Sequence, residues 1–312
     1  MPLRQAPRPR EDRMTLALAI MAGAFFSFTL IDTSAKWLAA AGLPALQIAF
    51  IRYAGNFVAS LLIFLPREGM SVLRPNAPGL QLGRATMLLT STVCNFIALT
   101  YLPLTVTTAI FFASPVLVCL LSIPLLGEQV GLRRFIAILV GFSGVLIITE
   151  PWGADFHWAM FFSLGALSAA SMYFVLSRMI AGRDDNPTGQ IVTSGVPTVL
   201  LSPVLLLGWV WPQGVTEWIA FCAMGLFATL GHSLLTVGYR YAPASKLAPM
   251  IYVQIIYVSI ISWAVFSQPP DAQTIAGTAV IVGAGFYIWL RERQRPPAKP
   301  VTTPGGTAGG PR

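Results

Sequence analysis

Apolar residues run in long stretches along this chain, and polar residues gather in short breaks between them. Ten stretches stand out, at approximately 14–35, 44–65, 83–101, 104–126, 134–150, 157–177, 188–209, 217–238, 245–266 and 273–290. A helix needs roughly 20 apolar residues to cross the hydrocarbon of a bilayer. The pattern therefore predicts an all-α membrane protein with ten transmembrane helices. The breaks carry turn chemistry, as in Ala41-Gly42-Leu43-Pro44, Asn186-Pro187 and Gln268-Pro269-Pro270.

Composition strengthens this reading. The 312 residues are 55% hydrophobic and 10% charged, against roughly 25% charged in soluble domains. A net charge of +8 would point to nucleic acid in a soluble protein. Here the basic residues lie in the breaks, where they set membrane orientation, so no nucleic-acid partner is expected. With the N-terminus in the cytoplasm, all but three of the 20 Lys and Arg residues fall in or beside cytoplasmic loops. Those three are Lys36, Arg52 and Lys246. The opposite loops carry Glu150, Asp155, Glu217 and Asp271. An even number of spans and two cytoplasmic termini follow, in the inner membrane of a bacterium. Trp37, Trp152, Trp158, Trp209, Trp211 and Trp218 gather at the outer ends as interfacial anchors. Residues 1–13 read as a cytoplasmic segment before an uncleaved first helix, since Asp32 and Lys36 interrupt the run that a signal peptide would need. Residues 291–312 read as a disordered cytoplasmic tail.

The chain also resembles itself. At an offset of 140, Tyr101-Leu102-Pro103-Leu104-Thr105 lies over Tyr241-Ala242-Pro243-Ala244-Ser245, and Gly127-Glu128 over Ser267-Gln268. At an offset of 142, Gly23-Ala24 lies over Gly165-Ala166 and Lys36 over Arg178. Two five-helix units, 14–150 and 151–290, are expected. Five is odd, so the second unit enters the bilayer from the other side as an inverted repeat, an architecture that places a solute site near the midplane between the halves.

Ten helices in two such halves, a Tyr-x-Pro start to a helix and a Gly-Glu closing the fourth resemble the EamA-type carriers of the drug/metabolite transporter superfamily. The second half departs from that pattern, with Ser267-Gln268 in place of Gly-Glu. An Asp-x-x-x-Lys in the first helix (Asp32, Lys36) and an Arg in the second (Arg52) are most similar to a neighbourhood that includes bacterial riboflavin importers and exporters of amino acids and other metabolites. The resemblance implies a secondary transporter working by alternating access, with riboflavin uptake as the first function to test and export of amino acids or drug-like metabolites as the alternative. Its partners would be a small-molecule substrate and the lipid bilayer. The sequence leaves open whether it works as a homodimer.

Ionisable residues inside the spans are costly, and each needs a reason. Asp32 and Lys36 are four apart on one helical face, the spacing of a neutralising pair. Arg52 sits eight residues beyond Pro44, roughly 12 Å deep at 1.5 Å per residue. It requires an anion or a dense set of acceptors, and Asp32 is the nearest acid by depth, with Asn56 one turn along. Two readings stand: a structural ion pair, or a polar cavity in which Arg52 meets an anionic or carbonyl-rich solute. Lys246 is charged where its repeat counterpart, Val106, is not. His232 and Gln254 are polar groups in apolar helices and join Arg52, Asp32, Lys36, Asn56 and Lys246 as candidate substrate-binding residues. Glu128, beside Arg133 and Arg134, reads as a loop acid. Gly23/Ser27, Ala137/Gly141, Gly165/Ala169 and Ala279/Gly283 read as close helix contacts.

A remote rival is an intramembrane serine protease, since Gly141-Phe142-Ser143-Gly144 followed later by His232 imitates a Ser-His dyad. The internal repeat has no place in that reading. The sequence holds no phosphate-cradling Gly-rich loop, and Cys94, Cys119 and Cys222 are too scattered for a metal site or a disulfide framework. No cofactor, metal or enzymatic activity is expected.

Overall fold

The computed structural model describes residues 14–126, 132–150, 156–180, 183–206, 208–241 and 247–293. Among these there is no strand. The described residues form eleven α-helices in succession: α1 (Met14–Ala40), α2 (Ala45–Glu68), α3 (Pro78–Tyr101), α4 (Leu104–Phe111), α5 (Ser114–Leu126), α6 (Leu132–Thr149), α7 (Met160–Ile180), α8 (Asn186–Leu201), α9 (Val215–Tyr241), α10 (Gln254–Phe266) and α11 (Ala272–Arg293). Seven helical runs are long and apolar enough to cross a membrane, and three further apolar runs, 135–149, 250–266 and 272–287, are shorter. The chain is a multi-pass membrane protein. Glu128, Lys246, residues 1–13 and residues 294–312 lie outside the described residues; residues 291–293, expected at the start of the tail, instead continue α11.

Proline explains where the structure is finer than the apolar pattern. The predicted span 104–126 is two helices, because Pro115 offers no N–H to the carbonyl of Phe111 and the chain turns at Phe112 and Ala113. Pro203 lies in a tightened 3-10 turn after α8, and a similar turn containing Pro249 precedes α10. Pro44 and Pro103 stand immediately before α2 and α4, where a missing N–H costs nothing.

Many hydroxyls within the helices are satisfied locally. Ser27, Thr29 and Thr33 donate to the carbonyls of Gly23, Phe25 and Thr29, one turn back. That keeps hydroxyls in an apolar interior from standing without a partner. The outer surface is correspondingly apolar: Leu62 is 72% exposed and Trp263 67%. In water this would demand a partner; in a bilayer the partner is lipid.

Helix pairing sets the interior. α1 packs along α9, α3 along α7, α11 along α6, and α2 along both α8 and α9. The α2–α9 crossing is closest at Gly55 and Gly225, where a Cβ on Gly225 would lie 2.5 Å from the Cα of Gly55. Glycine also brings α6 and α11 together: a Cβ on Gly144 would lie 2.8 Å from the carbonyl oxygen of Gly277. At Gly283, by contrast, nothing lies within 4 Å of a Cβ, so the Ala279/Gly283 spacing does not mark a contact there. Leu38, Ile48, Tyr53, Phe96, Leu99 and Met224 fill the core between α1, α2, α3 and α9.

Candidate functional site

A cavity of about 260 Å³ opens in the interior among α1, α2, α3, α4, α7, α9 and α10. Two charged side chains stand on its wall, Asp32 and Arg52, and both are among the residues that the sequence marks as costly. Asp32, on α1, accepts a hydrogen bond from Asn95 Nδ2 at 3.0 Å. Arg52, on α2, donates from Nη1 to the Thr92 hydroxyl and, at 3.5 Å, to the Tyr53 hydroxyl. Tyr53 in turn donates to the Leu88 carbonyl at 3.0 Å and lies 2.6 Å from the Thr92 hydroxyl. These bonds form one chain: Arg52 to Thr92, Thr92 to Tyr53, Tyr53 to the backbone of α3. The guanidinium also stands 5.0 Å from the centre of the Tyr53 ring and 5.9 Å from that of Phe96. Aromatic faces attract such a cation and partly replace its lost hydration.

Arg52 bonds to Thr92 and Tyr53, whereas Asp32 bonds to Asn95. Arg52 Nε is buried without a protein partner. Each charge is therefore held by neutral groups and retains capacity for a further partner. That arrangement differs from a closed ion pair, in which each charge consumes the other's bonds.

Six aromatic side chains stand among aliphatic and small polar ones on the rest of the wall: Phe25, Phe28, Phe96, Phe111, Tyr173 and Phe174. His232 lines it with its ring 5.1 Å from that of Phe28, edge to face. The buried Gln254 lines it from α10. Four of the sequence candidates, Asp32, Arg52, His232 and Gln254, are thus brought together.

Two are not. Lys36 turns away from Asp32 and donates to the carbonyls of Leu102 at 2.7 Å and Leu99 at 3.4 Å. It closes the C-terminal end of α3, where helix carbonyls lack intrahelical donors. Asn56 accepts from the Thr229 hydroxyl at 3.0 Å and from Ser60 at 3.3 Å, beside the Gly55–Gly225 crossing. Lys246 falls outside the described residues. The serine protease dyad is not assembled: Ser143 is on α6 and donates to its own helix at Val140, while His232 faces the central cavity.

Sequence reasoning missed Asn95, Thr92 and Tyr173. A signal was present for the first two, since Ser91, Thr92 and Asn95 share one face of the third span.

The comparisons with known proteins agree with this architecture. The EamA-like transporter family matches residues 14–150 and 157–290. The pseudopaline exporter of Pseudomonas aeruginosa (strain UCBPP-PA14) is 31% identical over 86% of this chain and 93% of its own length. The riboflavin transporter of Vibrio cholerae is 28% identical, covering 88% and 94%. The S-adenosylmethionine uptake transporter of Rickettsia felis is 24% identical, covering 86% and 92%. A solved crystal structure at 21% identity has a TM-score of 0.58 over 87% of this chain and 97% of the other, and shares its fold. A cavity inside a bundle of apolar helices, together with family matches on both sides of residues 151–156, places this chain in the EamA-like transporter family.

Proposed function

We propose that this transporter carries a small polar solute across the inner membrane by alternating access, and that the solute is bound in the cavity between Asp32 and Arg52. The observation that carries the reading is the pair of separated charges in an aromatic chamber. Burying either charge costs roughly 2.5 kcal/mol or more at the centre of a membrane, and neither spends its bonds on the other.

Helix pairing supports two inverted halves, 14–150 and 151–290. In that repeat α1 corresponds to α7 and α3 to α9. The observed pairs α1–α9 and α3–α7 exchange under it, while α2–α8 and α6–α11 pair corresponding helices with each other. A two-fold relation between halves produces that pattern. The arginine distribution supports cytoplasmic termini.

Riboflavin is the first solute to test. Relatives named as riboflavin transporters are 27–28% identical to this chain, and six aromatic side chains on the cavity wall suit a flat ring. Export of an amino-acid-like metabolite is the second reading, and it rests on a different feature: an acid and a base held apart match a solute with both an amine and a carboxylate. A riboflavin auxotroph without its own importer decides between them. Growth on low riboflavin when the gene is supplied supports uptake; no growth despite expression in the membrane turns the assignment to export.

A further inference from the structure

Arg84 reads from sequence as one more cytoplasmic positive charge, six residues after Pro78 at the start of α3. Its guanidinium is instead half-buried at the junction of the halves. Nη2 donates to the Tyr173 hydroxyl at 3.3 Å, and the cation stands 5.2 Å from the centre of the Tyr173 ring. Nη1 donates to Gln81 Oε1 at 3.3 Å. The same nitrogen lies against α8, where a Cβ on Gly189 would be 2.9 Å from it. Nε is buried without a protein partner.

The two hydrogen-bond partners lead in opposite directions. Tyr173 lines the central cavity. Gln81 is fully buried and donates through Nε2 to Asp184 Oδ2 at 2.9 Å. Asp184 Oδ1 accepts from the backbone N–H of Asn76 at 2.6 Å, and Asn76 Nδ2 donates to the Arg183 carbonyl at 2.9 Å. These bonds fasten the segment between α2 and α3, in the first half, to the segment between α7 and α8, in the second.

We infer that Arg84 is a positioning residue that ties the cavity wall to this closure between the halves, an inference that rests on transport through the cavity. The chemistry is that of an amide with two unlike ends. Gln81 grips Asp184 only with its NH₂ group toward the carboxylate. Its oxygen in that place would repel the carboxylate, and the two ends have nearly the same shape. Arg84 has donors only, so it selects the orientation with the oxygen toward itself and the NH₂ toward Asp184. A solute that engages the Tyr173 hydroxyl competes for one of the two hydrogen bonds holding the guanidinium. Its displacement frees Gln81 to turn and Asp184 to let go. The closure is a two-state element biased from the cavity.

The test uses spin labels at Ser71→Cys and Asp185→Cys, on opposite sides of the closure, in full-length protein in nanodiscs with Cys94, Cys119 and Cys222 changed to Ala. Pulsed distance measurements without solute should give mainly short separations. Asp184→Asn should raise the long-distance population and serves as the reference. Arg84→Gln should raise it about ten-fold, the effect of one lost hydrogen bond to a charged group. Arg84→Lys should restore part of the closure, because an ammonium keeps the charge but not the fork. Gly189→Ala, which pushes on Nη1 without removing it, should move the population in the same direction and decides the matter if Arg84→Gln does not fold. A wild-type distribution in whichever of these two folds, beside a lengthened one in Asp184→Asn, overturns the inference. Tyr173→Phe removes the hydroxyl that Arg84 grips, so it should lengthen the resting distance; if riboflavin lengthens the wild-type distance, this variant should show no further response. A wild-type distance that ignores riboflavin counts against riboflavin as solute and leaves the resting distances to decide Arg84.

Discussion

Replacing Gly225 with alanine adds a single methyl group where α2 and α9 cross backbone to backbone. Its Cβ would lie 2.5 Å from Gly55 Cα, 2.7 Å from the Gly55 carbonyl carbon and 3.0 Å from the Asn56 nitrogen. Carbon atoms rest about 3.5–4.0 Å apart, so α2 and α9 must separate by about 1 Å. All three obstacles are backbone, and no rotamer change relieves them. The same displacement stretches the 3.0 Å bond from Thr229 to Asn56 beyond hydrogen-bonding range. Overpacking costs about 1–3 kcal/mol and the lost bond about 1 kcal/mol, which together give about 2–4 kcal/mol. Thermal unfolding in detergent, followed by size exclusion, should show a midpoint several degrees lower. Gly283→Ala is the matched control: nothing lies within 4 Å of its Cβ, and alanine is favoured over glycine within a helix by about 1 kcal/mol. Its midpoint should rise or stay level. A Gly225→Ala protein as stable as the Gly283→Ala control would refute the close crossing.

Three further outcomes follow from the same geometry. The double variant Asp32→Asn with Arg52→Gln should fold, because no charge is left stranded, yet lose at least about ten-fold in transport per folded molecule, the worth of one charge-assisted bond to the solute; near-normal transport would leave both residues as scaffold. Lys36→Met should lower stability by about 2–3 kcal/mol, since two carbonyls at the end of α3 lose a charged donor, while molecules that do fold keep their transport rate; a transport defect without a stability defect would move Lys36 into the solute path. Reporter fusions after residues 70, 130, 180 and 295 should read cytoplasm, and those near 42, 153, 213 and 270 periplasm; a periplasmic C-terminus would break the ten-span topology.

Long apolar runs made the helices legible, because the bilayer imposes length and composition together. Arg52 was legible for a related reason: a charge that far inside is too costly to be incidental, and its guanidinium stands on the cavity wall. The Asp32/Lys36 pair was misleading. Four-residue spacing puts both on one face of α1, but Lys36 is long enough to reach the carbonyls of Leu99 and Leu102, and a one-dimensional pattern does not say where a flexible four-carbon stem ends. Arg84 was hidden by the positive-inside rule itself, which counts a basic residue near a loop without asking whether its guanidinium folds back beneath a tyrosine. Gly55 and Gly225 lie on helices far apart in the sequence, so no spacing along the chain relates them; only the crossing of α2 and α9 does.

Alternating access requires that the cavity bind a solute on one side of the membrane and release it on the other. Counterflow in proteoliposomes measures this directly. Vesicles loaded with unlabelled riboflavin, or with each member of a panel of amino acids and related metabolites, receive a trace of the same labelled compound outside, with and without a pH gradient. One of these solutes should accumulate transiently above its equilibrium level, saturably and only with wild-type protein, and the Asp32→Asn, Arg52→Gln variant should abolish the overshoot. Flux of that solute that rises linearly with concentration, shows no overshoot and is unchanged in the double variant would contradict a carrier with Asp32 and Arg52 at its solute site.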